Sequence, residues 1–182
     1  MKSTLILSAA ALSLLSACGS MSGSKPMMFS QAALPDAVKV PAGQKVTMET
    51  VGVGEITYEC REKQAAAGQF EWVFVGPVAV LNDRSGKAVG KYYGPPATWE
   101  AMDGSKVAGA QVAVAPAAPG SIPLQLVKAN PAMGQGAMTG VSYIQRVATK
   151  GGVAPAAACG MDSKGKREIV KYEADYIFWA AM

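Results

Sequence analysis

Apolar and polar residues alternate along much of the chain, whereas helical periodicity is scarce. Within residues 55–61, Ile56, Tyr58 and Cys60 lie on one face, with charged residues and a threonine on the other. Residues 170–178 repeat the pattern, with tyrosines and apolar residues on one face and mostly charged residues on the other. A period of two, with β-branched and aromatic residues on one face, is typical of a half-buried strand. Both segments are therefore predicted strands.

Further strands are predicted over residues 44–51, 70–81, 87–93, 107–114, 122–129 and 138–147. Clusters of Gly, Pro, Asn and Asp separate them. Residues 82–86 are typical of a hairpin turn, although such an oxygen-rich turn can also hold calcium, and residues 99–105 are predicted as a loop. The pattern predicts an all-β fold, an antiparallel β-sandwich or partly closed β-barrel of about 8–10 strands, with little helix apart from the N-terminal segment.

The N-terminus has the features of an export signal. Lys2 precedes an apolar run, residues 5–17, which is shorter than the roughly 20 residues that a transmembrane helix needs. The run ends in Leu15-Ser16-Ala17-Cys18, which resembles the lipobox of bacterial lipoproteins. The resemblance implies that residues 1–17 are removed as a signal peptide and that Cys18 carries a diacylglycerol and an acylated amine. An ordinary signal peptide with the same small-residue cleavage site is the alternative.

The residues after Cys18 predict where the protein is held and how. Gly19 stands where lipoproteins retained in the inner membrane carry Asp, so the resemblance points to the periplasmic face of the outer membrane. Residues 18–34 contain few bulky groups and are predicted to be a lipidated flexible tether. Residues 35–182 are predicted to form a single β-rich domain. The membrane is therefore a predicted partner through the N-terminal lipid anchor.

The composition narrows the possible chemistry. The chain contains no histidine, which excludes a Ser-His-Asp triad, a Cys-His dyad and the commonest zinc sites. No cofactor and no metal site is predicted, and acid–base catalysis would have to use carboxylates, tyrosine or lysine. The formal net charge of +4 is dispersed along the chain. The densest basic cluster, in residues 164–167, is interpreted as a solvated loop, so nucleic acid is not a predicted partner.

Two cysteines remain once Cys18 is lipidated. An even pair in an oxidising compartment predicts a disulfide between Cys60 and Cys159. Cys60 lies on the apolar face of its predicted strand, which places the bond at or near the core. A reactive or metal-binding thiol is the alternative, but no Cys-x-x-Cys spacing supports it.

Most of the side chains that could bind a ligand or take part in catalysis cluster around a Pro/Gly-rich loop. They are Tyr92, Tyr93, Trp99, Glu100, Asp103 and Ser105. Aromatic faces beside carboxylates suit a sugar ring, so one interpretation is a ligand-binding site. A second interpretation is a catalytic pair of Glu100 and Asp103 of the glycosidase type. A third is purely structural: Trp99 fills one end of the sheet, and residues 103–105 form a hairpin turn. Arg146, on a later strand, could hold an anionic ligand or a buried carboxylate.

Several segments are familiar in their order along the chain. They are Val40-Pro41-Ala42-Gly43, Tyr58-Glu59-Cys60, Thr98-Trp99-Glu100, Asp103-Gly104-Ser105-Lys106-Val107, Ile122-Pro123-Leu124 and Val141-Ser142-Tyr143-Ile144-Gln145-Arg146-Val147. In this order they resemble the DUF3455 family of secreted bacterial and fungal proteins of unknown function. The resemblance extends over about residues 35–178. It implies a recurrent Cys60–Cys159 pair and a domain boundary, but no reaction.

Together these features predict a binding or structural module rather than an enzyme. Its expected partner is a glycan or protein of the cell envelope, bound by Tyr92, Tyr93, Trp99, Glu100, Asp103 and Arg146. A polysaccharide hydrolase that uses Glu100 and Asp103 is the alternative function.

Overall fold

Eight antiparallel strands close into a barrel in the computed structural model, which describes residues 29–182. They are β1 (Gln44–Glu62), β2 (Phe70–Asn82), β3 (Ala88–Tyr93), β4 (Thr98–Ala101), β5 (Lys106–Ala115), β6 (Leu124–Ala129), β7 (Val141–Gly151) and β8 (Arg167–Ala181). Each strand pairs with its neighbour in sequence, and β8 pairs with β1. The predicted all-β fold is confirmed, with the barrel closed. The signal segment, Cys18 and residues 19–28 of the tether lie outside the described residues.

Short 3-10 turns supply the little helix that the structure contains. They span Asp36–Val38 and Met161–Ser163. Within residues 29–182, no helix has the length and apolar character needed to cross a membrane.

Strand β1 includes both of the strands predicted over residues 44–51 and 55–61. The residues between them continue the strand, because two glycines stand at positions where a side chain would not fit. A Cβ atom at Gly52 would lie 2.5 Å from the ring of Tyr176. One at Gly54 would overlap the backbone of β2 at Val78 and Ala79. The glycines therefore let neighbouring groups approach β1 closely, and the strand extends over 19 residues.

Strand β4 corrects the prediction of a loop over residues 99–105. Trp99 pairs with Tyr92 of β3 on one side and with Val107 of β5 on the other. Only residues 102–105 form a turn between β4 and β5. The strand has four residues, too few to show a period of two, so its existence depends on the strands beside it.

The barrel interior is packed with aromatic and branched side chains. Among its fully or nearly fully buried members are Leu81, Tyr92, Trp99, Ile144, Tyr176 and Phe178. Tyr92 stacks on Trp99 with ring centroids 4.7 Å apart, and Tyr176 meets the edge of Trp99 at 5.8 Å. These rings fill the middle of the barrel, so a ligand has room only at its ends.

A second apolar cluster lies on the outer face of the barrel. Residues alternate along β8, so Ile177 and Trp179 point away from the interior that Tyr176 and Phe178 fill. The chain before β1 covers this face, with Val38 and Val40 buried and Phe29 and Leu34 partly buried against it. Residues 29–34 were predicted to be part of the flexible tether. They pack on the barrel instead, because the Phe29 and Leu34 side chains contact this apolar outer surface.

The two ends of the barrel differ in their connections. The turn end carries residues 83–87, 102–105 and 130–140, whereas the disulfide end carries residues 63–69, 94–97, 116–123 and 152–166. The predicted Cys60–Cys159 disulfide is confirmed at the second end, with Cα atoms 5.5 Å apart. It ties the end of β1 to the long connection between β7 and β8.

The hairpin interpretation of residues 82–86 agrees with the hydrogen bonds. The Asp83 carboxylate accepts from the Ser85 hydroxyl and from the backbone N–H groups of Ser85 and Lys87. Its Oδ1 atom therefore stabilises the turn. Among the described residues, no group of three or more acidic or cysteine side chains is placed to hold a metal ion.

Candidate functional site

The predicted ligand-binding residues of β3 and β4 divide between two faces of the sheet. Tyr92 and Trp99 point into the barrel, and Trp99 is only 1% exposed. Tyr93 and Glu100 lie on the outer face, where the Tyr93 hydroxyl donates to Glu100 at 2.8 Å. Alternation along each strand separates these side chains, so they do not converge on one site.

The two carboxylates predicted as a catalytic pair have structural partners. Glu100 accepts from Tyr93 and pairs with Lys91, and these contacts hold the pKa of Glu100 below its usual range. Asp103 accepts from the Ser105 hydroxyl and from the backbone N–H of Ala137, and these bonds lower the pKa of Asp103. A glycosidase acid needs a raised pKa, so no observation in the described residues favours the hydrolase.

A hollow at the turn end also includes Asp103. It has a volume of about 540 Å³ and is lined largely by apolar side chains such as Met48, Val89 and Met102. Its charged side chains are Asp103, whose oxygens hold the turn, and Lys87. The hollow therefore offers few polar groups that could orient a ligand.

Trp99 carries the one buried side-chain nitrogen or oxygen without a hydrogen-bond partner among the described residues, its indole Nε1. Trp179 has the opposite arrangement, because its Nε1 donates to Gln145 at 2.9 Å.

We expect Trp179→Phe to cost about 1–3 kcal/mol more in unfolding free energy than Trp99→Phe, because it also leaves the Gln145 oxygen unpaired. Chemical denaturation of the matched variants measures this difference, and equal costs would contradict the assignment.

A cavity opens into the barrel at the disulfide end. At this end of the barrel, β3 ends at Tyr93 and β4 begins only at Thr98, whereas β1, β2, β7 and β8 extend further. The short strands leave part of the interior uncovered. The resulting cavity measures about 310 Å³, and its lining includes Phe74, Tyr92, Gln111, Gln125 and Arg146. We refer to it as the end cavity.

Phe74 provides an aromatic surface at the end cavity. It pairs with Tyr58 across β1 and β2, and the two rings meet edge to face at 6.1 Å. Phe74 is nevertheless 50% exposed, unlike Tyr58, which is buried. Half of a large apolar side chain is therefore available to a ligand.

Three polar side chains lie on the opposite wall of the end cavity. Gln125 Nε2 donates to Gln111 Oε1 at 2.7 Å, which leaves the amide nitrogen of Gln111 and the oxygen of Gln125 for other partners. Arg146 donates from Nε and Nη2 to the Pro123 carbonyl oxygen at 3.2 and 2.9 Å. The shared carbonyl holds the guanidinium in place without neutralising it.

Buried tyrosines surround Arg146 in the barrel. Burial raises the pKa of Tyr92, Tyr172 and Tyr176, and the positive charge of Arg146 opposes that rise at each of them. The Tyr172 and Tyr176 hydroxyls lie 3.1 Å apart. These phenols stay protonated at neutral pH, so the positive charge of Arg146 faces neutral aromatic groups on this side.

The structure thus brings together only part of the predicted site. Tyr92 and Arg146 both line the end cavity, although they lie on strands that are not neighbours. Phe74, Gln111 and Gln125 were not predicted, because Phe74 lies in a continuous apolar run and the glutamines depend on the pairing of β5 with β6. The one sequence signal for Phe74 is the alternation along β2, which places Phe74 on the same face of the sheet as Tyr58 once the two strands are paired.

The comparison with known families agrees with the fold boundaries. The model of the family described as a protein of unknown function, DUF3455, matches residues 41–180. This match includes strands β1 to β7 completely and all of β8 except Ala181. The chain matches no curated protein and no solved structure. Since the matched residues make up most of the chain, the protein belongs to the DUF3455 family, as the ordered segments predicted.

Proposed function

We propose that the protein is a lipid-anchored binding module at the periplasmic face of the outer membrane, and that it binds a cell-envelope glycan in the end cavity. The observation that carries the proposal is the cavity itself, whose lining combines the half-exposed Phe74 with the free amide nitrogen of Gln111 and the free amide oxygen of Gln125. The proposal involves no chemical step.

The lining suits a sugar because sugars combine an apolar C–H face with hydroxyl groups on the ring edge. Phe74 offers exposed aromatic surface beside the buried ring of Tyr92, and the Gln111 amide nitrogen and the Gln125 amide oxygen offer a donor and an acceptor. The volume of about 310 Å³ is at the lower end of the usual range for ligand cavities, roughly 300–1,000 Å³. One or two sugar rings, such as the end of a glycan chain, are the expected occupant.

The position where the chain meets the barrel supports the anchored orientation. The Phe29 backbone N–H donates to Glu49, whose carboxylate also binds Arg84 in the β2–β3 turn. The N-terminal segment therefore joins the barrel in the half nearest the turn end, opposite the end cavity. Residues 19–28, which connect Phe29 to Cys18, span at most about 35 Å when extended at roughly 3.5 Å per residue. An anchor at Cys18 would keep the turn end nearer the membrane and the cavity accessible from the periplasm.

The binding proposal is tested by replacing the aromatic surface. We expect Phe74→Ala to weaken binding of the full-length protein, in detergent, to purified peptidoglycan or envelope polysaccharide by about fivefold or more, because the stacking surface is lost. Val78→Ala is the control, since Val78 is also an exposed apolar residue of β2 but lies outside the end cavity. Binding should occur without release of soluble fragments. If neither polysaccharide binds, or if Val78→Ala has the same effect, the proposed function is wrong.

The anchor is tested separately at Cys18. We expect the native protein to begin at Cys18 and to carry fatty acids there, whereas Cys18→Ser should remain unacylated and retain residues 1–17, because the thiol that receives the lipid is absent. Intact-mass spectrometry and labelling with palmitate measure both properties. A native N-terminus without fatty acid would contradict the anchor and leave the binding proposal to its own test.

A further inference from the structure

We propose that the end cavity selects an acidic sugar and that Arg146 binds its carboxylate. This inference rests on the proposed function and names the class of its ligand. It is carried by an inward-facing guanidinium that has no carboxylate partner among the described residues and lies beside the aromatic and amide groups of the cavity.

The register of the barrel explains why Arg146 faces inward. Arg146 pairs with Tyr176 of β8 and with Gln125 of β6. Tyr176 is fully buried in the interior, and residues that pair directly across antiparallel strands project to the same face. The Arg146 side chain therefore points into the barrel. It lies at the end where β3 and β4 are too short to cover the interior.

Arg146 differs from the other arginines in its electrostatic surroundings. Arg61 and Arg167 both pair with Glu59, and Arg84 pairs with Glu49 and Asp175. In residues 29–182, no carboxylate forms a comparable ion pair with Arg146. A partly buried cation that lacks an anion retains a strong preference for one.

The remaining donors of the guanidinium match a carboxylate. A guanidinium has five N–H groups, and Nε and Nη2 each use one on the Pro123 carbonyl. The two N–H groups of Nη1 and the second N–H of Nη2 stay available. They form a planar fork of the kind that binds the two oxygens of a carboxylate. The Pro123 contact orients this fork, which reduces the entropy lost on binding.

The neighbouring groups specify a sugar rather than a small free anion. Phe74 brings exposed apolar surface to the same cavity, beside the buried Tyr92, and an inorganic anion would not use that surface. The Gln111 amide nitrogen and the Gln125 amide oxygen can bond hydroxyl groups beside the carboxylate. A sugar ring that carries a carboxylate satisfies all three features at once.

The test compares sugars that carry a carboxylate with related sugars that do not. The probes are galacturonic acid against galactose, N-acetylmuramic acid against N-acetylglucosamine, and the uncharged methyl ester of galacturonic acid. Titration of the full-length protein is followed by NMR signals of the Gln111 and Gln125 side-chain amides. We expect each acid to bind at least tenfold more tightly than its neutral counterpart, and Arg146→Gln to remove that preference while neutral sugars bind as before.

Two further variants separate a binding role from a structural one. Arg167→Gln removes an arginine that pairs with Glu59 on the outer surface and should leave both affinities unchanged. Arg146→Lys keeps the charge without the fork and should retain only part of the preference. If Arg146→Gln does not fold, the comparison of galacturonic acid with its methyl ester in the unmodified protein decides the question.

The outcomes distinguish the inference from the proposed function. Equal binding of acidic and neutral sugars would overturn the role of Arg146 and leave glycan binding intact. An equal loss of both in Arg146→Gln would also overturn it, because the arginine would then only shape the cavity through Pro123. If the envelope polysaccharides and all sugar probes fail to bind, both the inference and the proposed function fall.

Discussion

Removal of the Cys60–Cys159 disulfide is expected to lower the free energy of unfolding by about 4 kcal/mol, the largest effect of any single bond in this domain. The two cysteines are 99 positions apart, so the bond closes a long loop and restricts the unfolded chain strongly. For a domain of this size, each kcal/mol lowers the melting temperature by roughly 2–4 °C, which predicts a fall of about 8–16 °C.

Three variants and one chemical control separate the bond from the residues that form it. Cys60→Ala, Cys159→Ala and the double variant should melt at similar temperatures, because each lacks the same bond. Reduction of the unmodified protein should lower its melting temperature by a comparable amount and leave the double variant unaffected. Thermal unfolding monitored by circular dichroism measures all of these. A change below about 3 °C, which corresponds to roughly 1 kcal/mol, would mean that the bond contributes little.

Gln145→Leu should be the second most damaging change, at about 3 kcal/mol, because Gln145 joins the barrel to the N-terminal segment. Its Nε2 donates to the Val38 carbonyl oxygen at 2.6 Å and to Gln31 at 3.1 Å, and its Oε1 accepts from Trp179. Leucine has a similar size but would leave the Trp179 N–H and the Val38 carbonyl without these partners. Each buried group left unpaired costs about 1–3 kcal/mol.

The damage should be concentrated in the N-terminal segment. Gln31 also exchanges two hydrogen bonds with the Val40 backbone, so the loss of Gln145 loosens a connected network. We expect trypsin to cleave after Lys39 faster in Gln145→Leu than in the unmodified protein. Gln64→Leu is the control, since Gln64 is exposed in the β1–β2 connection. Unchanged cleavage together with an unchanged melting temperature would contradict the role of the network.

The strands were predictable where the alternating pattern was long enough. Residues 55–61 and 170–178 show a period of two over several residues, and they form parts of β1 and β8. Strand β4 has four residues and follows a Pro-rich loop, so its own sequence contains no comparable pattern. Trp99 and Glu100 were therefore assigned to one loop, although a strand necessarily sends adjacent side chains to opposite faces.

The all-β class, the buried faces of the long strands and the pairing of Cys60 with Cys159 were predictable from the sequence alone. These follow from local periodicity and from the number of cysteines, neither of which requires knowledge of distant contacts. The closure of the sheet, the packing of residues 29–40 on its outer face and the position of Arg146 and Phe74 in one cavity become clear only from the folded chain. These features depend on cross-strand register and on where short strands end, and contacts between distant parts of the chain set both of them.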